Sequence, residues 1–277
     1  MITITAQGKQ IPALGFGTYK LKGNSGQSAI EKAIETGYRH IDTAQFYDNE
    51  ADVGAAVAAG GIPREDIFIT TKIWPDNAAE GKLQKSFDES LKKLKTDYVD
   101  LLLIHWPSSP APFAEQMKAL QSVQAAGKAK LIGISNFTVA QTREVVETLG
   151  APLAANQVEY HPYLSQKPLL DYLRASGMFL TAYCPVAQGK VAKDPVIGKI
   201  ANAHGKTTGQ VTLRWLIQQD GVAAIPKAGS ENHIRENFDI FDFTLSDDEM
   251  KQISALARPD GRIVNPVGIA PKWDKAA

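Results

Sequence analysis

DIFITTKIW (Asp66 to Trp74) and YVDLLLIHW (Tyr98 to Trp106) are two apolar runs of strand length with a helical segment between them, and this unit decides the fold. Such a run reads as a strand buried on both faces, which is the condition of a parallel strand under crossover helices. The same pattern recurs outward along the chain: YRHIDTA from Tyr38, KLIGISNF from Lys130, AANQVEY from Ala154, MFLTAYCP from Met178 and VAAIPK from Val222. DIFDF from Asp239 makes an eighth candidate, and eight strands would close a barrel.

The intervening segments carry helical spacing and stop signals. SGQSAIEKAIETG ends at Gly37, EQMKALQSVQAAG at Gly127 and QKPLLDYLRASG at Gly177, each glycine standing where a helix C-terminus needs one. Strand–helix alternation with short loops argues for a parallel α/β sheet. A Rossmann sheet needs a G-x-G-x-x-G turn; Gly15-Phe16-Gly17 lacks the third glycine and opens no helix, so the reading is a (β/α)8 TIM barrel. ITIT, QGK and QIPAL read as an N-terminal β-hairpin that plugs the bottom of the barrel. KDPVIGKIANAHG and TTGQVTLRWLIQQ give two helices where one is expected, so one is an extra helix. No linker or low-complexity stretch divides residues 1–277, which therefore read as a single domain.

Composition narrows the function classes. Thirty basic and thirty acidic residues cancel, giving no overall field for nucleic acid or an anionic membrane, so a small molecule is the expected partner. Cys184 is the only cysteine; no intrachain disulfide or cysteine-rich metal site can form, as in a reducing compartment. MITITAQGKQ lacks the pattern of a signal peptide and no run is long enough to span a membrane, so a cytoplasmic location is expected.

Polar residues gather at the predicted C-terminal strand ends: Asp42, Lys72, His105, Ser135, Asn136, Gln157, Tyr183 and Lys227. In a barrel those ends meet at one rim, where active sites are built. Taken singly, each has a bland reading. Asp42 could cap a turn, Lys72 could be a solvated charge, His105 a hydrogen-bonded core histidine, Tyr47 a packing residue, and Ser135, Asn136 and Gln157 could satisfy loop backbone. Structural needs do not call for all of them at one rim. Together, Asp42, Tyr47, Lys72 and His105 suit proton delivery to a carbonyl oxygen. A tyrosine of pKa near 10 is helped as a general acid by an ammonium that stabilises the phenolate. Lys72 supplies that charge, Asp42 holds Lys72, and His105 orients the carbonyl oxygen. Hydride has to come from a cofactor.

GYRHIDTAQFYDNE (Gly37 to Glu50), TTKIW (Thr70 to Trp74), LIHWP (Leu103 to Pro107), IGISNF (Ile132 to Phe137), NQVEYHP (Asn156 to Pro162) and IPKAGSENHIRENFDIFDF (Ile225 to Phe243) resemble the aldo-keto reductases, in matching order over nearly the whole chain. The resemblance implies the tetrad Asp42, Tyr47, Lys72 and His105, and no metal. It implies a nicotinamide cofactor, NADPH/NADP+, with its carboxamide held by Ser135, Asn136 and Gln157 and its ring stacked on Tyr183. Gly17 and Thr18 belong to the same cofactor site. Lys227 would meet the 2′-phosphate, with Glu236 and Asn237 near the adenine. A monomer is the family's usual state.

Two positions depart from the pattern: Ala228 stands where serine is usual, and His233 where an arginine clamps the 2′-phosphate. An imidazole holds phosphate less firmly than a bidentate guanidinium, so NADH/NAD+ use is one expectation; retention of NADPH selection through Lys227 alone is the other. Cys184 occupies a usual serine position. Tyr19, Phe46, Trp74 and Trp106, with His105, form an aromatic wall for small carbonyl substrates, although each aromatic could instead be core, Phe46 first among them. The resemblance is nearest to compact bacterial members that reduce 2,5-diketo-gluconate or methylglyoxal. IVNPVGIAPKW, near the C-terminus, could close one pocket edge. Other classes remain open from residues alone: a Schiff-base lyase using Lys72 or Lys227, a metal hydrolase using His40, His105, His161 and Asp42, and a non-catalytic nucleotide-binding module.

Overall fold

The computed structural model describes residues 1–274. It begins with an antiparallel hairpin of β1 (Thr3–Ala6) and β2 (Lys9–Pro12). There follow β3 (Phe16–Gly17), α1 (Gly23–Thr36), β4 (His40–Asp42), α2 (Glu50–Ala59), β5 (Phe68–Ile73), α3 (Lys82–Leu94), β6 (Val99–Ile104) and α4 (Phe113–Ala125). Next come β7 (Ala129–Ser135), α5 (Val139–Arg143, continued by a π turn over Glu144–Thr148), β8 (Ala155–Glu159), α6 (Lys167–Ala175) and β9 (Phe179–Tyr183). The described chain is completed by α7 (Pro195–His204), α8 (Thr208–Ile217), β10 (Val222–Ala224), α9 (Glu231–Phe238) and α10 (Asp247–Ser254).

Strands β3 to β10 pair in parallel and in chain order. The sheet closes on itself. Leu14 bridges Ala224 in parallel, Gly15 N donates to Ala224 O (2.9 Å), Ala224 N to Ala13 O (2.8 Å) and Gly17 N to Pro226 O (3.0 Å). This is the (β/α)8 barrel expected from the alternation of strands and helices.

The expected set of strands needs one correction. The eighth strand is not Asp239–Phe243, which has no strand pairing; it is the two-residue β3. With β3 bonded to the β10 segment there is no free edge for another strand. Asp239 instead ties α9 to α8, its carbonyl accepting from Gln210 Nε2 (2.8 Å). β3 was invisible to periodicity because it is short and bounded by glycine. Glycine is needed there: a Cβ on Gly17 would lie 2.7 Å from the Ile225 carbonyl across the seam.

Side-chain parity along the strands then sorts the residues. On β6, Leu101 and Leu103 point into the barrel while Leu102 and Ile104 pack outward under the helices, in two separate apolar clusters. The inner cluster joins Leu101, Leu103, Phe68, Leu131, Ala155, Phe179 and Ala223 to Ala6 and Ile11 of the hairpin, so the hairpin does plug the bottom. Gly37, Gly127 and Gly177 sit at helix ends with φ of 120°, 75° and 68°. α8 packs on β10, whereas α7 lies against α8 and α10, making α7 the added helix. Among the described residues no helix is long and apolar enough to cross a membrane.

The seam predicts a contrast between two glycines. Gly17→Ala should destabilise by about 1–3 kcal/mol, as overpacking against fixed backbone does. Gly198→Ala, inside α7 with no atom within 4 Å of the added Cβ, should be neutral or stabilising by up to about 1 kcal/mol. Urea midpoints of the two variants check this; equal midpoints would contradict the seam.

Candidate active site

Parity carries the site as well as the core. Counting up each strand in steps of two from an inward-facing buried residue gives Asp42 above His40, Lys72 above Phe68, His105 above Leu103, and Ser135 above Leu131. It gives Gln157 above Ala155 and Tyr183 above Phe179 in the same way. All therefore face the axis at the C-terminal rim.

Lys72 is fully buried, as is Asp42 at 1% exposure. The Lys72 Nζ donates to Asp42 Oδ1 (2.6 Å), to the Thr43 carbonyl (2.8 Å) and to Tyr47 Oη (3.3 Å). Its three protons are thereby assigned. The other Asp42 oxygen accepts from Gln157 Nε2 at 2.8 Å, across 115 positions of sequence. A carboxylate can only accept, so this bond fixes the Gln157 amide and leaves Oε1 to face a donor. No donor among the described residues reaches it.

Tyr47 stands on a 3-10 turn, Gln45–Tyr47, just past β4. Asn49, buried behind it, anchors that loop by donating to the Thr18 and Leu21 carbonyls (2.8 Å each) and accepting from Thr43 Oγ1 (2.7 Å). The Tyr47 ring lies 5.0 Å from Tyr19 and 5.8 Å from His105, centroid to centroid. Gln45 Oε1 accepts from the Trp74 backbone N–H (3.0 Å) and so sets Trp74, on which Phe46 stacks at 4.4 Å. Phe46 is 53% exposed and Tyr19 46% exposed, so neither is core; Trp106 is buried, in an edge-type contact with Trp273.

Burial governs the proton affinities. Desolvation pushes the Tyr47 hydroxyl well above its usual range, and the Asp42 carboxylate adds to the rise. Desolvation lowers Lys72, opposed by Asp42. Desolvation and then the Lys72 charge push His105 well below the ordinary histidine value. At neutral pH Tyr47 thus holds its proton and His105 is an uncharged imidazole.

The next group is Ser135, Asn136, Gln157 and Tyr183. Asn136, in the left-handed region at φ 65°, donates to the His105 carbonyl (3.0 Å) and to Ser135 Oγ (3.1 Å), while its Oδ1 accepts from Tyr183 Oη (2.8 Å). Ser135 Oγ donates to the Gln157 carbonyl (2.8 Å). Asn136 is therefore a brace between His105 and Tyr183, and the open Gln157 Oε1 suits an amide N–H2, the group a nicotinamide carboxamide presents. Thr18 is also a brace, its hydroxyl donating to the Asp42 carbonyl (2.9 Å) beside the Gly17 seam.

At the far end of the rim, Lys227 and His233 are exposed and Ala228 is buried. Glu236 accepts from Thr207 Oγ1 (2.7 Å) and Asn237 is half-buried. Arg235, the nearest guanidinium in sequence, is paired with Glu231 at 2.9 Å on the surface of α9. Sequence reading missed Ser230, whose hydroxyl caps α9 next to Lys227. It also missed the supporting part of Asn49 and Glu50, although both close the DNE end of the first motif; Glu50 is buried and accepts from Thr71 Oγ1 (2.6 Å). The histidines do not assemble: His40 meets Thr70 and Pro12, His161 meets Glu159, and no metal-ligating trio gathers among the described residues.

Comparison with known proteins agrees with this geometry. The sequence pattern of the Aldo/keto reductase family matches residues 13–258. Methylglyoxal reductase DkgB of Salmonella typhi is 43% identical over 95% of this chain and 99% of its own length. Glyoxal reductase of Bacillus subtilis is 40% identical, with 94% of each chain covered. A crystal structure provisionally assigned as a 2,5-diketo-D-gluconic acid reductase B superposes with a TM-score of 0.96 at 51% identity, covering 98% of this chain and 97% of that one. The NADPH complex of a Gox0644 variant superposes with a TM-score of 0.89 at 32% identity, covering 95% and 96%. This chain is an NAD(P)H-dependent oxidoreductase and belongs to the aldo/keto reductase family.

Proposed function

We propose that the protein reduces the aldehyde or ketone group of small carbonyl compounds to alcohols, with α-oxoaldehydes such as methylglyoxal the first class to test. The observation that carries this reading is the relay Asp42–Lys72–Tyr47, at 2.6 and 3.3 Å, opening beside a neutral His105. A reduced nicotinamide supplies the hydride. Tyr47 gives its proton to the developing alkoxide. Lys72 stabilises the phenolate left behind, and Asp42 keeps Lys72 charged despite its burial. His105 donates a hydrogen bond to the carbonyl oxygen as an uncharged imidazole.

Gln157, with Ser135 and the braced Asn136, would hold the carboxamide, and Tyr183 the ring. Lys227, Ser230 and the α9 N-terminus would meet the phosphate end, with Glu236 and Asn237 near the adenine. Tyr19, Phe46, Trp74 and Trp106 form the substrate wall. A Schiff-base reading of Lys72 is disfavoured by its full burial, with every proton already assigned. The same reading makes residues 1–277 one catalytic domain, acting as a monomer in the cytoplasm.

We further propose that both NADPH and NADH serve. His233 is exposed, Ala228 offers no hydroxyl, and Arg235 is held by Glu231, so Lys227 is the one cation committed to a 2′-phosphate. A charge-assisted hydrogen bond is worth about 1.5–3 kcal/mol, so His233→Arg should raise the NADPH-over-NADH ratio of kcat/KM by about ten- to a hundredfold. A natural enzyme already ~1000-fold selective for NADPH, a gap of about 4 kcal/mol, would contradict this.

Tyr47→Phe should lower kcat for methylglyoxal by about 10²- to 10⁴-fold while the cofactor still quenches protein fluorescence. Near-normal turnover would remove Tyr47 from the mechanism. The pH profile follows from the shifts at the two groups proposed to meet the carbonyl oxygen. Tyr47, raised, stays protonated through neutral pH, and His105, lowered, stays neutral, so reduction should show no inflection near the free histidine value of about 6.5. For stability the sign is opposite to that of a paired histidine. A buried neutral His105 takes up a proton only on unfolding, so its contribution is present above about 6.5 and is lost as the pH falls below it. A kcat/KM inflection at about 6.5 that disappears in His105→Gln would show that His105 titrates in the working enzyme.

A further inference from the structure

Like Glu50, another buried acid has no part in the proton relay. Glu159 ends β8, in register with Tyr183, and is 0% exposed. Its Oε1 accepts from the backbone N–H of Ile263 (2.7 Å) and from His161 Nε2 (2.9 Å), and its Oε2 accepts from Val264 N–H (2.9 Å). Arg262 Nη1 stands 3.7 Å away. A buried carboxylate is tolerated only when donors surround it. Here two of the donors belong to a segment more than a hundred positions downstream, so the acid and that segment depend on each other.

The segment runs on to the substrate wall. The guanidinium of Arg262 lies 3.6 Å from the Trp273 ring centroid, Trp273 Nε1 donates to Asn265 Oδ1 (2.8 Å), and the Trp273 and Trp106 rings meet edge-to-face, centroids 6.2 Å apart. Trp106 in turn stacks beside His105. Apolar packing holds this strap at Ile263, against the main core, and not further along. Val267 is fully exposed, and a cleft of about 240 Å³ lies behind Trp273, lined in part by Phe137, Val139, Leu169 and Arg262. The entry is pinned, since Arg258 N–H bonds the Tyr163 carbonyl and a side chain at Gly261 would collide with that carbonyl. Beyond that point the polar clamp, the Arg262–Trp273 stack and Asp274, whose carboxylate accepts from the Val139 N–H (2.8 Å), set the position.

We propose that Glu159 is a positioning residue for substrate size: through the 262–264 backbone and Arg262 it sets where Trp273 stands, and so how large a carbonyl compound the cleft admits. This rests on the reductase reading above. Releasing the clamp lets Trp273 move into the cleft behind it, widening the wall by Trp106. Small substrates lose a contact; larger ones gain entry.

The test compares methylglyoxal with phenylglyoxal, which has the same reacting group and a larger substituent, in Glu159→Gln and Arg262→Met. The phenylglyoxal-over-methylglyoxal ratio of kcat/KM should rise about tenfold in each, carried mainly by KM, as pocket contacts of this size do. Trypsin, which has sites after Arg262 and Lys272 but not at the Arg258–Pro259 bond, should cut the strap of Glu159→Gln faster than that of the unaltered protein. Should Glu159→Gln fail to fold by circular dichroism, Arg262→Met, at a partly exposed site, carries the kinetic arm. An unchanged ratio in a folded variant overturns the proposal. If the unaltered protein reduces no carbonyl, the reductase reading fails instead, and unchanged trypsin resistance of Glu159→Gln would then overturn the clamp on its own.

Discussion

Lys72 carries its charge into the barrel with no solvent contact, and the Asp42 carboxylate at 2.6 Å is what keeps it there as an ammonium. Breaking such a buried pair by removing one partner costs about 3–5 kcal/mol, a large part of a protein's net stability. The geometry around the pair is correspondingly complete. The Thr43 carbonyl and Tyr47 hydroxyl take the remaining lysine protons, and Gln157 reaches from the far wall to the second Asp42 oxygen. Two of the groups that make the burial tolerable, Tyr47 and Gln157, are also those to which we assign proton transfer and cofactor binding. Stability and chemistry share one set of bonds.

The barrel walls supply rigidity and the loops supply reach. Asp42, Lys72 and Gln157 stand on strands or at their ends, where backbone pairing leaves little freedom, while Tyr47 stands on a loop and needs separate anchoring by Asn49. Burial, more than the neighbouring ammonium, dominates Tyr47 in the free protein: its hydroxyl rises, so the acid is kept loaded. The ammonium matters once phenolate forms. In the mechanism we propose, the 3.3 Å separation would then turn a desolvated anion into half of an ion pair.

The phosphate end of the rim follows different physics. Lys227 and His233 are exposed, so their fields are screened by water and salt. Selectivity there depends on the number and geometry of donors, and the one bidentate donor close in sequence, Arg235, is held by Glu231. On the cofactor reading proposed above, a substitution in such a place would change cofactor choice with little effect on the barrel. The Glu159 clamp is the buried counterpart, since changing it strands a charge.

Much of this was legible in the linear chain. Apolar runs separated by glycine-stopped helices determined the parallel barrel, and step-two parity within each run determined that Asp42, Lys72, His105, Ser135, Gln157 and Tyr183 would face one axis. Those properties are local, because period and propensity are fixed by a few neighbouring residues. What the chain could not show were the long-range choices. It did not show that the last strand pair closes on Phe16–Gly17 instead of Asp239–Phe243, since β3 is too short to carry a period and is defined only by its bonds to residues 224–226. Nor did it show that Phe46 lies open on Trp74, that Asn136 braces two neighbours, or that Glu159 holds a strap from the C-terminal end. Each of those depends on which partner lies within about 3 Å once the barrel has closed, and hydrogen-bond partners are selected by distance and burial, which sequence order does not encode.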